Sequence, residues 1–100
     1  MVASDFWSRV YRKNSNFIAR EIAGEIIIIP IKREAQELSA IYNLSNEVAV
    51  RIWKLINGKR MLSEIKEKIL QEFDVKEQQL KKDLREFIAD LEKVGAVKKK

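Results

Sequence analysis

The stretch "FIAREIAGEIIIIPI", residues 17–31, decides how this chain folds. Two β-type runs, FIAREI and EIIIIPI, flank Ala23-Gly24. A two-residue break containing glycine between such runs predicts a tight hairpin. Successive side chains of a strand face opposite ways. In the first run Phe17, Ala19 and Glu21 share one side, and Ile18, Arg20 and Ile22 the other. In the second, Ile27, Ile29 and Ile31 oppose Ile26, Ile28 and Pro30, so both of its faces are apolar. One face can pack on a core. The other needs a cover, or it stands as a binding surface. Two covers remain open: the N-terminal segment with Phe6, Trp7 and Tyr11, or a second copy of the domain in a homodimer.

Downstream, residues 32–37, KREAQE, read as a polar connection. Residues 39–44, SAIYNL, form a third candidate strand, weakened by Ala and Asn. The period then changes. Val48, Ala49, Ile52, Leu55 and Ile56 fall at helical spacing, with Ser45 as expected N-cap and Gly58 at the C′ position. A second helix is expected from Ser63, as its cap, to Glu72, burying Ile65, Ile69 and Leu70. Asp74 and Glu77 have the spacing of a capping box for a third helix. Leu80, Leu84, Phe87, Ile88, Leu91 and Val94 make its apolar stripe, and Gly95 ends it. Lys98, Lys99 and Lys100 read as a solvated basic tail after one domain spanning residues 1–97. Three strands followed by three helices give an α+β, winged-helix-like class: a three-stranded antiparallel sheet, then a three-helix bundle.

A chain of 100 residues fits one domain, and that length buries roughly two-thirds of its unfolded surface. With 46% hydrophobic and 35% charged residues it is globular in composition. No apolar run reaches the ~20 residues of a membrane span, and charges and aromatics interrupt the N-terminus where a signal peptide would be apolar. A cytoplasmic protein without membrane association is the expectation. There is no cysteine and no histidine. That removes thiolate zinc sites, disulfides and every Ser-His or Cys-His catalytic arrangement. Asp83, Glu86 and Asp90 recur along the third helix, but no histidine, cysteine or phosphate loop accompanies them. They read as a solvated face. No enzyme, metal or cofactor is expected.

The net charge of +5 invites a nucleic-acid reading. The placement of the charge weakens it. From Ser63 to Val94 there are seven basic and nine acidic residues, so the excess lies in the N-terminal half and the tail. A recognition helix normally offers cations to phosphates. Gln78 and Gln79 could address base edges, but the charge around them is balanced. Trp53 and Phe87 read as core aromatics. A three-stranded sheet also has edges, and an edge strand accepts an extended peptide.

Residues 11–31, YRKNSNFIAREIAGEIIIIPI, then YNLSNEVAVRIWKLINGKRMLSEIKEKILQEFDV and LEKVGAV together resemble the PqqD-like family, over nearly the whole chain. That family takes its name from the small D protein of pyrroloquinoline quinone biosynthesis. The most specific span runs from Asn43-Leu44 through Ile52-Trp53 and Asn57-Gly58 to Ile65. The Asn-Leu order is swapped relative to the family, and Asn57 stands where the family has Asp. The resemblance implies a non-catalytic peptide chaperone, a recognition element for ribosomally made and modified peptides. It would bind a precursor's leader and present it to a modifying enzyme of the radical S-adenosylmethionine type. The leader would add as a strand to the third strand and drop apolar side chains beside the third helix. The residues expected to line that site are Ser39, Ile41, Tyr42 and Leu44 on the strand and Leu84 and Ile88 on the helix, with Lys81 and Arg85 at the rim suiting an acidic peptide. Two other readings stay open: a winged-helix nucleic-acid binder, and a docking subunit that binds the enzyme without the leader.

Overall fold

The computed structural model describes residues 5–31 and 42–100. A 3-10 turn, Phe6–Ser8, leads to β1 (Tyr11–Lys13), β2 (Phe17–Ile22), β3 (Glu25–Pro30) and β4 (Tyr42–Leu44). Three helices follow, α1 (Glu47–Leu55), α2 (Leu62–Glu72) and α3 (Glu77–Val94), and then β5 (Val97–Lys99). The α+β expectation holds. An open antiparallel sheet of order β2-β3-β4 precedes the three helices.

The hairpin forms as its sequence predicts. β2 and β3 pair from Phe17 opposite Pro30 to Ile22 opposite Glu25. Ala23 and Gly24 both have positive φ, 53° and 84°. That is the sense of twist which a two-residue connection needs to join two right-twisted strands. β4 then pairs with β3, Ile26 opposite Leu44 and Ile28 opposite Tyr42. Directly paired residues share a face, so Ile26, Ile28, Pro30 and Leu44 line the inner side, and all four are buried. Ile26, Ile28 and Leu44 meet Ile52, Trp53, Ile65, Ile69, Leu80, Leu84, Ile88 and Leu91 in one core.

The outer side carries Ile18, Arg20 and Ile22 of β2 and Ile27 and Ile29 of β3. Ile18 is 47% and Ile22 58% exposed. The N-terminal segment is not their cover. Its 3-10 turn packs on α2, with the Phe6 ring buried and Trp7 edge-on to it at 4.8 Å. Tyr11, at 1% exposure, is spent on the core.

Helix ends differ from expectation by a few residues, each for a local reason. Asn46, not Ser45, caps α1, its Oδ1 accepting from the N–H groups of Val48 and Ala49 at 2.8 and 3.1 Å. α1 closes at Ile56 in extended conformation, so Gly58 lies one residue beyond the C′ position, in a turn where Asn57 Oδ1 accepts from Lys59 and Arg60 N–H. α2 starts at Leu62 because Glu64 Oε1 reaches back to the N–H of Met61 at 2.7 Å, leaving Ser63 inside the helix. Asp74 does not cap α3. The chain stays non-helical through Lys76, and Lys66 on α2 holds Glu77, the first helical residue, at 2.7 Å. Gly95 ends α3 in the left-handed conformation, as its sequence position predicts.

The terminal lysines are not a free tail. β5 pairs antiparallel with β1, Tyr11 opposite Lys99 and Lys13 opposite Val97, with Val97 buried. The lysine side chains at 98 and 99 stay exposed while their backbone is held in this second, two-stranded ribbon.

Candidate functional site

β4 is the edge strand of the three-stranded sheet, and among the described residues its side away from β3 pairs with no strand. Tyr42 is half-buried there. Burial first, then the Asp90 carboxylate of α3 that faces its hydroxyl, holds the phenol above its ordinary range. Asp83, Phe87 and Asp90 stand at helical spacings of four and three, one row on the flank of α3. That row links Tyr42 to a pocket of about 310 Å³ between α1 and α3. Val48, Ala49 and Ile52 of α1 form one wall. Val75, Leu80 and Phe87 form the other, and Gln79 and Asp83 stand at the rim. Gln79 Nε2 donates to Asp83 Oδ1 at 2.9 Å. The arrangement is an apolar slot beside an open strand edge, with two carboxylates along it. It has the parts for holding an extended peptide: main-chain hydrogen bonds from the edge and a pocket for an apolar side chain.

The residues expected to form the site separate into four groups. Tyr42 stands at the edge. Leu44, Leu84 and Ile88 are core, with 3%, 0% and 1% exposure, and line no open groove. Ser39 and Ile41 lie outside the described residues. Lys81 and Arg85 are on the opposite flank of α3 from Tyr42, across the Leu84-Ile88 stripe. Arg85 sits 4.7 Å from the Phe6 ring centroid and 5.4 Å from that of Trp7, and Lys81 5.9 Å from Trp7. Lys66 approaches the same indole at 5.5 Å. These cations are drawn to the electron-rich faces of the two rings. The charge along the β4 side of α3 is therefore negative, the reverse of the expected rim. The sequence places Phe87 in the core and Asp83 and Asp90 in solvent, and in the structure Phe87 packs half-buried against the core while both carboxylates are exposed. Their common row on the β4 side of α3 is the part left unread, and the period itself carries it. Among the described residues no group of three acidic side chains is close enough to hold a metal ion, and no helix is long and apolar enough to cross a membrane.

The family model described as Coenzyme PQQ synthesis protein D (PqqD) matches residues 25–97. The chain belongs to that family. A solved structure described as TbiB1 in complex with the TbiA(beta) leader peptide superimposes with a TM-score of 0.72 at 21% identity, covering 87% of this chain and 94% of the other. At that identity the likeness is one of fold. No curated protein matches.

Proposed function

We propose that this protein is a non-catalytic recognition element that captures the leader of a ribosomally made precursor peptide in the cytoplasm. It presents that peptide to a modifying enzyme, of the radical S-adenosylmethionine type in the reading its family membership favours. The observation that carries this is the open edge of β4 running beside the Asp83-Phe87-Asp90 row into an apolar pocket. Membership of the PqqD family and the fold shared with a leader-bound protein support it. The leader adds as a fourth strand on β4, and one apolar side chain enters the pocket between α1 and α3. Because Asp83 and Asp90 border the slot, the peptide's flanking residue there is Lys or Arg, not Asp or Glu.

The test is calorimetric titration with the leader segment of a short peptide encoded beside this gene. Phe87→Ala should weaken binding about tenfold or more through loss of pocket contacts. Asp83→Asn should weaken a lysine-bearing leader by about two- to fivefold, an effect that shrinks as salt rises. Unchanged affinity in both variants would remove the slot from the account. A steep collapse of wild-type affinity with salt would mark phosphate-like electrostatics in place of strand addition.

A further inference from the structure

Away from the slot, the β1–β5 ribbon gathers positive charge that the fold leaves uncompensated. Arg12 lies directly opposite Lys98. Like charges across a strand pair cost stability. Beside this pair, Lys59, Lys99 and Lys100 line a cleft of about 570 Å³ together with Gly58, and no Asp or Glu side chain is in its lining. Lys100 extends the ribbon, its N–H donating to Val10 O and its Nζ to Gly58 O at 2.9 Å. Three cations elsewhere on the described surface are held by carboxylates: Arg51 pairs with Glu72, Lys54 with Glu21, Lys66 with Glu67 and Glu77. Among the described residues none of Arg12, Lys59, Lys98, Lys99 or Lys100 forms an ion pair.

Proteins that grip a single-stranded nucleic acid add stacking rings to their cations. Tyr11 is buried and presents no ring for base stacking. The Asn14 amide donates to Gly95 O, and Asn57 Oδ1 accepts from the N–H groups of Lys59 and Arg60. What the ribbon does offer is a compact group of unpaired cations with a shallow concavity, the complement of a carboxylate-rich protein surface.

We propose that the β1–β5 ribbon and the 57–60 turn form a docking surface for an acidic face of a protein partner. The surface lies on a different sheet from the peptide slot, so a partner held there leaves the β4 edge free.

The test uses the full chain and a fluorescent oligoglutamate peptide as probe, with duplex DNA of matched charge beside it, followed by anisotropy at low and moderate salt. The double variant Lys98→Glu/Lys99→Glu should lower oligoglutamate affinity about tenfold. Lys76→Glu/Lys82→Glu, the same charge change on exposed residues near the far end of α3, should lower it less than about twofold. Lys98→Glu alone should raise the melting temperature while weakening binding, because the new carboxylate faces Arg12. That opposition of effects separates lost docking from lost folding. Equal losses in the two double variants would overturn the proposal, as would failure of the wild-type chain to bind oligoglutamate at low salt. Tighter binding of the DNA, lost in Lys98→Glu/Lys99→Glu, would overturn it in favour of a nucleic-acid surface.

Discussion

Ala23 carries a backbone conformation that its side chain resists. Its φ of 53° lies in the left-handed region, which costs an L-residue with a Cβ roughly 1–2 kcal/mol and costs Asn less. Ala23→Asn gives the Asn-Gly pair preferred in this turn and should stabilise the protein by about 0.5–1 kcal/mol, seen as a higher denaturant midpoint at unchanged slope. A lower midpoint would mean that the turn is not of this type. Tyr42 makes a second prediction at this scale. Its phenol is raised above 10.0 by burial and by Asp90. A raised pKa favours the neutral phenol in the folded state. The associated stability is complete below the ordinary phenol value and is lost as pH rises through the folded one. In a Tyr11→Phe background, which leaves one of the two tyrosines, Asp90→Asn should bring the ultraviolet titration of Tyr42 down. It should remain above the ordinary value, because burial is the larger cause. No change would place Asp90 away from the hydroxyl.

α3 shows how much an element's period reveals and where it stops. The stripe of Leu80, Leu84, Ile88 and Leu91 is legible because only one face of a helix repeats at that spacing, and all four are buried. A stripe has two flanks, and the period does not say which flank meets the sheet. Lys81-Arg85, the expected rim, and Asp83-Phe87-Asp90 lie on opposite flanks, and the fold puts Trp7 beside the first and Tyr42 beside the second. Caps were displaced for a similar reason. Ser45 and Asn46 are adjacent oxygen-bearing residues, and only geometry chooses between them. β1 and β5 were illegible. Three residues rich in lysine and arginine show no alternation, and their pairing joins sequence-distant ends. Leu84→Ala should cost about 2–5 kcal/mol of stability, since the site is fully buried. Phe87→Ala, partly exposed at the pocket, should cost less stability and more peptide affinity. Denaturation beside calorimetry separates the two, and the reverse ordering would exchange their roles.

Across the whole molecule, charge is sorted by surface. The β4 side of α3 is acidic, the other flank of α3 places cations over Phe6 and Trp7, and the ribbon is basic without compensation. The hairpin with its inner and outer faces was written in residues 17–31. The sorting was not, because it depends on which strands the two ends of the chain join. A net charge of +5 therefore describes no single face of this protein. The central claim is capture of a peptide at the β4 edge, and amide NMR of the labelled protein titrated with the neighbouring-gene leader tests it most directly. The account predicts shifts confined to Tyr42, Asn43 and Leu44, the pocket residues Val48, Ala49 and Val75, and the Asp83-Phe87-Asp90 row, with strand-type contacts between peptide and β4. Shifts centred on Trp7, Lys81 and Arg85 instead, or none at saturating peptide, would contradict it.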